Sequence, residues 1–394
     1  MRIAIVVPGR FHAFQLAAAL IRRKHDVTLF TNYPRWFVER FDPSFKEVRT
    51  CLLHGVLSRI GNLPPSTVVR EYCSSRLSVV FSRWAARQVT GDWDCVHCYS
   101  GASEELLHTL RRSGTPSLLF RGSAHIRTQA RLLQEEAERT GCQIDRPDEW
   151  MVQREEREYQ LATKVLTLSS FAQQTFSMEG FPREKVVVLP LGVDAGQFRA
   201  SAGVAEERSR RILSGAPIRI LFVGTLSMQK GCWDLVQMME RLPADRFEWR
   251  LIGQVTPEVR GLLPTICRYA EVLPHQSHQT LARWYADADI FLFPTIHDGF
   301  AAVLIEAQAN ALPLFTTTNC AGPDLVSDGH NGWVLPIRSP EAFVERLRWA
   351  DEHREELAAM VRYLNQAELR TWDNVAADFE PIAASLRANH YVSN

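Results

Sequence analysis

A chain of 394 residues exceeds what one hydrophobic core comfortably fills, so its length predicts two domains. The 45 basic side chains balance 45 acidic ones, which argues against a nucleic-acid protein, and no apolar run approaches the roughly 20 residues of a membrane span. Eight scattered cysteines suit a reducing cytosol better than a disulfide scaffold, so a cytoplasmic protein is expected.

The opening "MRIAIVVPGRFHAF" has too short an apolar run for a secretory signal and reads as a first strand. A loop with Gly9, Arg10 and His12 follows it, then a helix over "HAFQLAAALIRR" and a strand at "DVTLFT". Residues 1–120 hold 16 Lys/Arg against 9 Asp/Glu, an excess of seven positive charges that the rest of the chain cancels. An anionic surface or acceptor near the front explains this, and so do scattered solvated arginines. Residues 68–89 mix Arg70, Arg76, Arg83 and Arg87 with Leu77, Val80, Phe81 and Trp84. That is either a basic amphipathic helix resting on an anionic membrane or a half-buried domain helix with a solvated face.

"CVHCYS" is the next strand. Its Cys95 and Cys98 form a C-x-x-C without a second pair or a His couple, so they read as core thiols. "PSLLF" leads into a loop with Arg121, Ser123 and His125, and "KVLTLS" and "KVVVLP" are further strands. Residues 191–217 break the rhythm with a polar stretch rich in Gly, Ala and Arg. We read 1–199 as the first domain, 200–216 as a linker and 217–371 as the second domain, with a helix over 372–394 crossing back to the first. Strands at "IRILFVG", "FEWRLIG", "AEVLP", "DIFLFP" and "PLFTT" build the second unit. Strands alternating with helices predict parallel sheets covered on both faces, and ligands in such sheets sit outside the carboxyl ends of the strands. A lone glycine after the first strand is no dinucleotide fingerprint, so no such cofactor is expected.

Two loops of the second half carry chemistry. In "LFVGTLSMQKGCWDLV", Gly224 ends a strand and Lys230 precedes a helix, with Thr225 and Ser227 as hydroxyl donors, an arrangement suited to a phosphate. In "TIHDGFAAVLIEAQANALP", Gly299 would let a phosphate approach the amides of Phe300 and Ala301 at a helix start. Asp298 lies ahead of that helix and Glu306 within its apolar run, about 12 Å apart at 1.5 Å per residue. Acids so separated cannot share one bond as an acid–base pair, but they can grip opposite ends of an elongated ligand. Asp298 also reads as a plain helix cap.

The seven residues between Asp298 and Glu306, with the trailing "ALP", resemble the E-x7-E motif of retaining family 4 glycosyltransferases. "FVGTLSMQKG" resembles that family's G-x-L-x-x-x-K-G, and "YADADIFLFPTIHDGF", "AGPDLVSDGHNGWVL" and "SSFAQQTFSMEGFPREKVVVLPLGVDAGQF" resemble its flanking segments. The resemblance implies the GT-B fold, two Rossmann-like α/β domains around a deep cleft. It further implies that Glu306 holds the ribose of a nucleoside diphosphate sugar, that Asp298 meets the sugar, and that Lys230 neutralises the departing diphosphate. His125 is the counterpart of a histidine near the donor sugar, and Gly9, Arg10, His12 and Arg121 line the acceptor side. Gly253 in "IGQ" and His275 in "PHQSH" belong to the base lining. The family more often has Glu at position 298 and an Arg at 225, so the shorter arm and the missing cation are departures.

The activity implied is retaining transfer of a hexose from a UDP- or GDP-sugar to an acceptor hydroxyl in polysaccharide or glycolipid synthesis. The acceptor would be carbohydrate, lipid-linked or small, reached at the inner membrane face, with no bound cofactor and no metal. Asp92 with Asp94 and Asp287 with Asp289 mimic a metal-binding D-x-D, but the second pair sits at a helix-to-strand junction where capping explains it. An epimerase of the same fold and a non-catalytic nucleotide-sugar-binding protein are the alternatives.

Overall fold

The computed structural model describes residues 1–61 and 67–392. Short apolar runs become strands because both faces are covered. Five of the six residues of β1 (Arg2–Val7) and of β2 (Asp26–Thr31) are buried. With β3 (Glu47–Thr50), β4 (Cys95–Tyr99), β5 (Ser117–Phe120), β6 (Lys164–Thr167) and β7 (Val186–Val188) they form one sheet, ordered β3-β2-β1-β4-β5-β6-β7. The second sheet holds β8 (Ile218–Val223), β9 (Phe247–Ile252), β10 (Ala270–Leu273), β11 (Ile290–Phe293), β12 (Leu314–Thr317) and β13 (Gly332–Leu335), ordered β10-β9-β8-β11-β12-β13. All strand pairs are parallel. Two parallel-sheet α/β domains are thus present, as the alternation predicts. In each, strand order reverses once, between β1 and β4 and between β8 and β11, and the loops at those reversals open a crevice.

Two strands escaped the sequence reading. β3 is a polar edge strand, "EVRT", and β13 follows an Asn-Gly turn with only four residues. The polar stretch read as a linker is largely the helix Ala202–Leu213, packed on the helix Arg354–Gln366. Arg208 explains its place. The guanidinium is fully buried and donates to the carbonyls of Tyr285, Ala286, Ala288, Asn310 and Ala311. Those carbonyls end the helices His278–Asp287 and Ala302–Ala309, where orphan acceptors and the negative dipole end favour a cation.

The helix Trp372–Val392 returns to the first domain. Arg22 pairs with Asp373 at 2.9 Å, Arg23 and His25 with Glu380 at 2.6 and 2.8 Å, and Phe379 packs against His97. The domains also meet directly: Ser170 N–H donates to Asp324 at 2.8 Å, and Arg139 and Arg338 pair with Asp234 and Glu135 at 2.7 and 2.8 Å.

Of residues 68–89, the side chains of 68–74 lie outside the described residues. In the remainder Phe81 and Ala85 are core and the helix packs on Glu104–Ser113, which is the half-buried alternative. The exposed apolar face lies one helix earlier, where Leu52, Leu53 and Val56 are 57, 64 and 55% exposed on Leu52–Gly61. Among the described residues no helix is long and apolar enough to cross a membrane. Cys95 and Cys98 are buried in β4, where burial pushes the Cys95 thiol up to about 12. Asp287 pairs with Arg219 and Arg250, and Asp289 with Arg211.

Candidate active site

The chain reversal in the second sheet brings two loops together. After β8 the backbone turns at Gly224 and reaches Lys230 and Gly231 ahead of the helix Cys232–Arg241. After β11 it passes through Thr295–Gly299 into the helix Ala302–Ala309. Gly231 lies against the other loop, where a Cβ would fall 2.1 Å from the Pro294 carbonyl oxygen. Lys230 therefore meets Asp298: Nζ to Oδ2 is 2.5 Å, with both side chains mostly buried.

Asp298 uses its other oxygen to close the loop ahead of the helix, accepting the amides of Phe300 at 3.1 Å and Ala301 at 2.9 Å. Both amides precede the helix, whose N-cap is Ala301 without a side-chain bond, so Asp298 is not its N-cap; these two amides are occupied by the protein's own carboxylate. Burial favours the neutral acid, but the Lys230 ammonium and then the Phe300 amide outweigh it and hold Asp298 below the usual carboxylate range. Ser227 accepts the Lys230 amide at 3.2 Å and is buried, whereas Thr225 is exposed.

Gly299 has a different neighbour from the phosphate expected. A Cβ there would lie 2.0 Å from the Gly122 carbonyl oxygen of the first domain, and Ser169 Oγ donates to the Gly299 carbonyl at 2.6 Å. The glycine permits backbone-to-backbone contact of the two domains. Gly253 does similar work within its domain, where a Cβ would fall 1.8 Å from the Gly224 carbonyl oxygen.

Glu306 opens onto a cavity of about 500 Å³ between the domains, with Arg10, His12, Asp194, His278 and Trp372. Tyr285 Oη donates to its carboxylate at 3.0 Å. Burial raises the Glu306 pKa to about 7, only partly opposed by that bond. His12 stacks on Trp372, and burial lowers it to about 4 although the Asp298 charge pulls the other way. His12 thus lines the Glu306 cavity within reach of the Asp298 charge. The Arg10 guanidinium lies over the Phe41 ring at 4.7 Å.

The structure does not bring every expected residue together. His125 caps the helix Ile126–Thr140, packs its ring on Tyr159 and Phe176, and lines a separate 630 Å³ cavity inside the first domain. His275 is exposed and does not line the Glu306 cavity, whereas His278, three residues on, does. Arg121 is buried and engaged with Glu155, Gln129 and the Ala124 carbonyl. His278 falls within the expected "PHQSH" lining, whereas sequence reasoning missed Asp194, Trp372 and the buried His297. The signal for His297 was its place directly before Asp298.

Comparisons with known proteins agree in both halves. Residues 10–192 match the family described as glycosyl transferase 4-like domain, and residues 217–351 match glycosyl transferases group 1. A putative colanic acid biosynthesis glycosyltransferase, WcaL, of Salmonella typhimurium is 30% identical over 197 residues, 46% of either chain. The D-inositol 3-phosphate glycosyltransferase of Corynebacterium urealyticum is 27% identical over 243 residues, 56% of this chain and 57% of that one. The chain thus spans about half the length of the curated relatives it matches. Among solved structures, HepE of Anabaena in complex with UDP superposes with a TM-score of 0.66 at 14% identity, covering 98% of this chain and 100% of that one. Sucrose-phosphate synthase of Thermosynechococcus elongatus gives 0.71 at 17%, covering 99% and 100%. At such identity these superpositions establish the fold, which is GT-B.

Proposed function

We propose, from the premise that this chain belongs to the group 1 glycosyltransferases of family 4, that it transfers a hexose from a nucleoside diphosphate sugar to an acceptor hydroxyl. The observation that carries the reading is the Lys230–Asp298 pair, set where Gly299 meets Gly122, with Glu306 opening onto the adjoining cavity. An elongated donor laid across these groups has its ribose at Glu306, whose carboxylate accepts two hydroxyl hydrogen bonds of the strong, charge-assisted kind. Its diphosphate lies toward Lys230 and its sugar beside Asp298.

In the reaction the bond from the sugar's anomeric carbon to the diphosphate oxygen breaks and one to the acceptor oxygen forms. The acceptor proton passes to the departing phosphate. Charge builds on the leaving group, where Lys230 and the start of the helix Ala302–Ala309 stabilise it in a site shielded from water. Lys230 takes the part a divalent cation plays elsewhere. Asp298 is engaged by Lys230 and two amides and Glu306 is taken up by the ribose, so retention, as in the resembling family, would proceed by same-face attack and not through a covalent intermediate on either acid. UDP or GDP is the proposed nucleotide; the UDP complex of HepE favours the first. A polysaccharide or glycolipid acceptor is in keeping with the colanic acid relative, and the exposed Leu52, Leu53 and Val56 face supports peripheral contact with the inner face of a membrane.

Calorimetry with UDP, GDP, ADP and their sugars, on wild type, Glu306→Ala and Lys230→Ala, tests this. One nucleotide series should bind to wild type, lose at least about tenfold on Glu306→Ala, and retain the anomeric configuration in the product. Binding unaffected by both variants removes these residues from the donor site. Release of free nucleotide without any acceptor points instead to the epimerase alternative.

A further inference from the structure

We propose that Phe11 is a stacking platform for a pyranose ring of the acceptor, presented by the turn after β1 on the first-domain side of the crevice. The inference rests on the glycosyltransferase reading above and assigns a residue which that reading does not use.

Two features of Phe11 sit badly with a purely structural part. Its backbone lies at φ 38°, in the left-handed region, and its side chain is 60% exposed. A bulky residue with such a φ is a true outlier, whereas glycine adopts that conformation at little cost. Among the described residues the other non-glycine positions with positive φ are Lys24, Ala301, Ala311 and Arg338, none of them aromatic. Backbone strain persists where the surroundings enforce it, and an exposed ring returns only part of its burial against that strain.

The surroundings do enforce it. The Ala13 N–H donates to the Arg10 carbonyl at 3.2 Å, closing the turn with Phe11 near its tip, and Thr31 Oγ1 donates to the Gly9 carbonyl at 3.1 Å. A Cβ on Gly9 would fall 3.0 Å from the Phe11 ring, so the glycine makes room for it. The ring stacks on Tyr99 at 5.7 Å between centroids and 25° between planes, and Tyr99 packs on Phe120 at 4.6 Å. These rings step across the carboxyl ends of β1, β4 and β5, where ligands of such sheets bind. Two residues past Phe120 is Gly122, which meets Gly299, and next to Phe11 is His12, within reach of the Asp298 charge. With one face on buried Tyr99, the ring turns its open face to this crevice.

An open aromatic face selects by shape and polarity. A pyranose gathers C–H bonds on one face and sends its hydroxyls to the rim, so that face lies flat on a phenyl ring. A phosphate has no apolar face and gains nothing there. The groups assigned to the donor, Lys230, Asp298 and Glu306, all belong to the second domain, which leaves Phe11 to the acceptor.

The test uses the full chain and, as acceptor mimics, the methyl α- and β-pyranosides of glucose, galactose and mannose, with and without the nucleoside diphosphate that calorimetry selects. On wild type, at least one pyranoside should show saturation transfer concentrated on the protons of one ring face, and those resonances should move upfield in the ring current. Phe11→Leu, apolar but not flat, should lose about tenfold in affinity for that pyranoside, and Phe11→Tyr should recover it to within about threefold. Diphosphate affinity should stay within about twofold in both. Unchanged pyranoside affinity in Phe11→Leu, or equal losses for pyranoside and diphosphate, overturn the proposal. Should Phe11→Leu fail to fold, the wild-type spectra decide: saturation spread evenly over the sugar, or no upfield shift, refutes the stack. Diphosphate binding with no pyranoside bound sinks the platform and leaves the donor site standing; pyranoside binding without any diphosphate bound does the reverse.

Discussion

Replacing Glu306 by Gln should strengthen the second domain while weakening its hold on ribonucleotides. Burial raises the Glu306 carboxyl from 4.5 to about 7 in the free protein. Each unit is worth about 1.4 kcal/mol, so the ionised side chain costs the folded state roughly 3 kcal/mol. Because the folded pKa lies above the unfolded one, stability is full below about 4.5, declines as pH rises to 7, and is lowest beyond it. Gln escapes this penalty and still accepts the Tyr285 hydroxyl bond. Urea denaturation, followed through the transition of the second domain, should give a gap below about 1 kcal/mol at pH 5 and of 2–3 kcal/mol in favour of Glu306→Gln at pH 8. In parallel, sugar-nucleotide affinity at pH 8 should fall at least about tenfold. A sugar nucleotide, whose phosphates do not titrate near neutrality, is the right probe. A gap of equal size at both pH values, or a less stable variant at pH 8, would refute the reasoning.

Two further outcomes follow from the domain contacts and the surface. Gly299→Ala places a methyl 2.0 Å from the Gly122 carbonyl oxygen, so the seam must part; turnover should drop on the order of 100-fold with diphosphate affinity within a few-fold, and solution scattering should report a larger radius of gyration. Unchanged turnover would show that this contact is not formed in the reacting state. Leu53→Glu combined with Val56→Glu should abolish co-sedimentation with anionic vesicles; a wild-type protein that stays in the supernatant ends the idea of membrane contact.

The fold was legible because parallel strands buried on both faces write themselves as continuous apolar runs, as in "RIAIVV" and "DIFLFP". β3 was not, since an edge strand with polar residues carries no such signature. Lys230, Asp298 and Glu306 were singled out by spacing along two loops and one helix, and the structure pairs the first two and sets the third on the adjoining cavity. What spacing cannot convey is the neighbour across the cleft: that Gly299 faces Gly122, or that His125 turns toward Tyr159. The helix Ala202–Leu213 was hidden for a related reason. Its decisive side chain is an arginine, and only the ends of two other helices make a buried guanidinium sensible.

That arginine bears on how the protein may be taken apart. Arg208 grips the main chain of Tyr285, whose hydroxyl in turn steadies Glu306. Cutting the chain at Pro217, where the polar stretch ends, would leave the second half without the bolt that aligns its own acid. A dissected second half should start ahead of Ser201, and a circular permutant should open its new termini anywhere but in that helix.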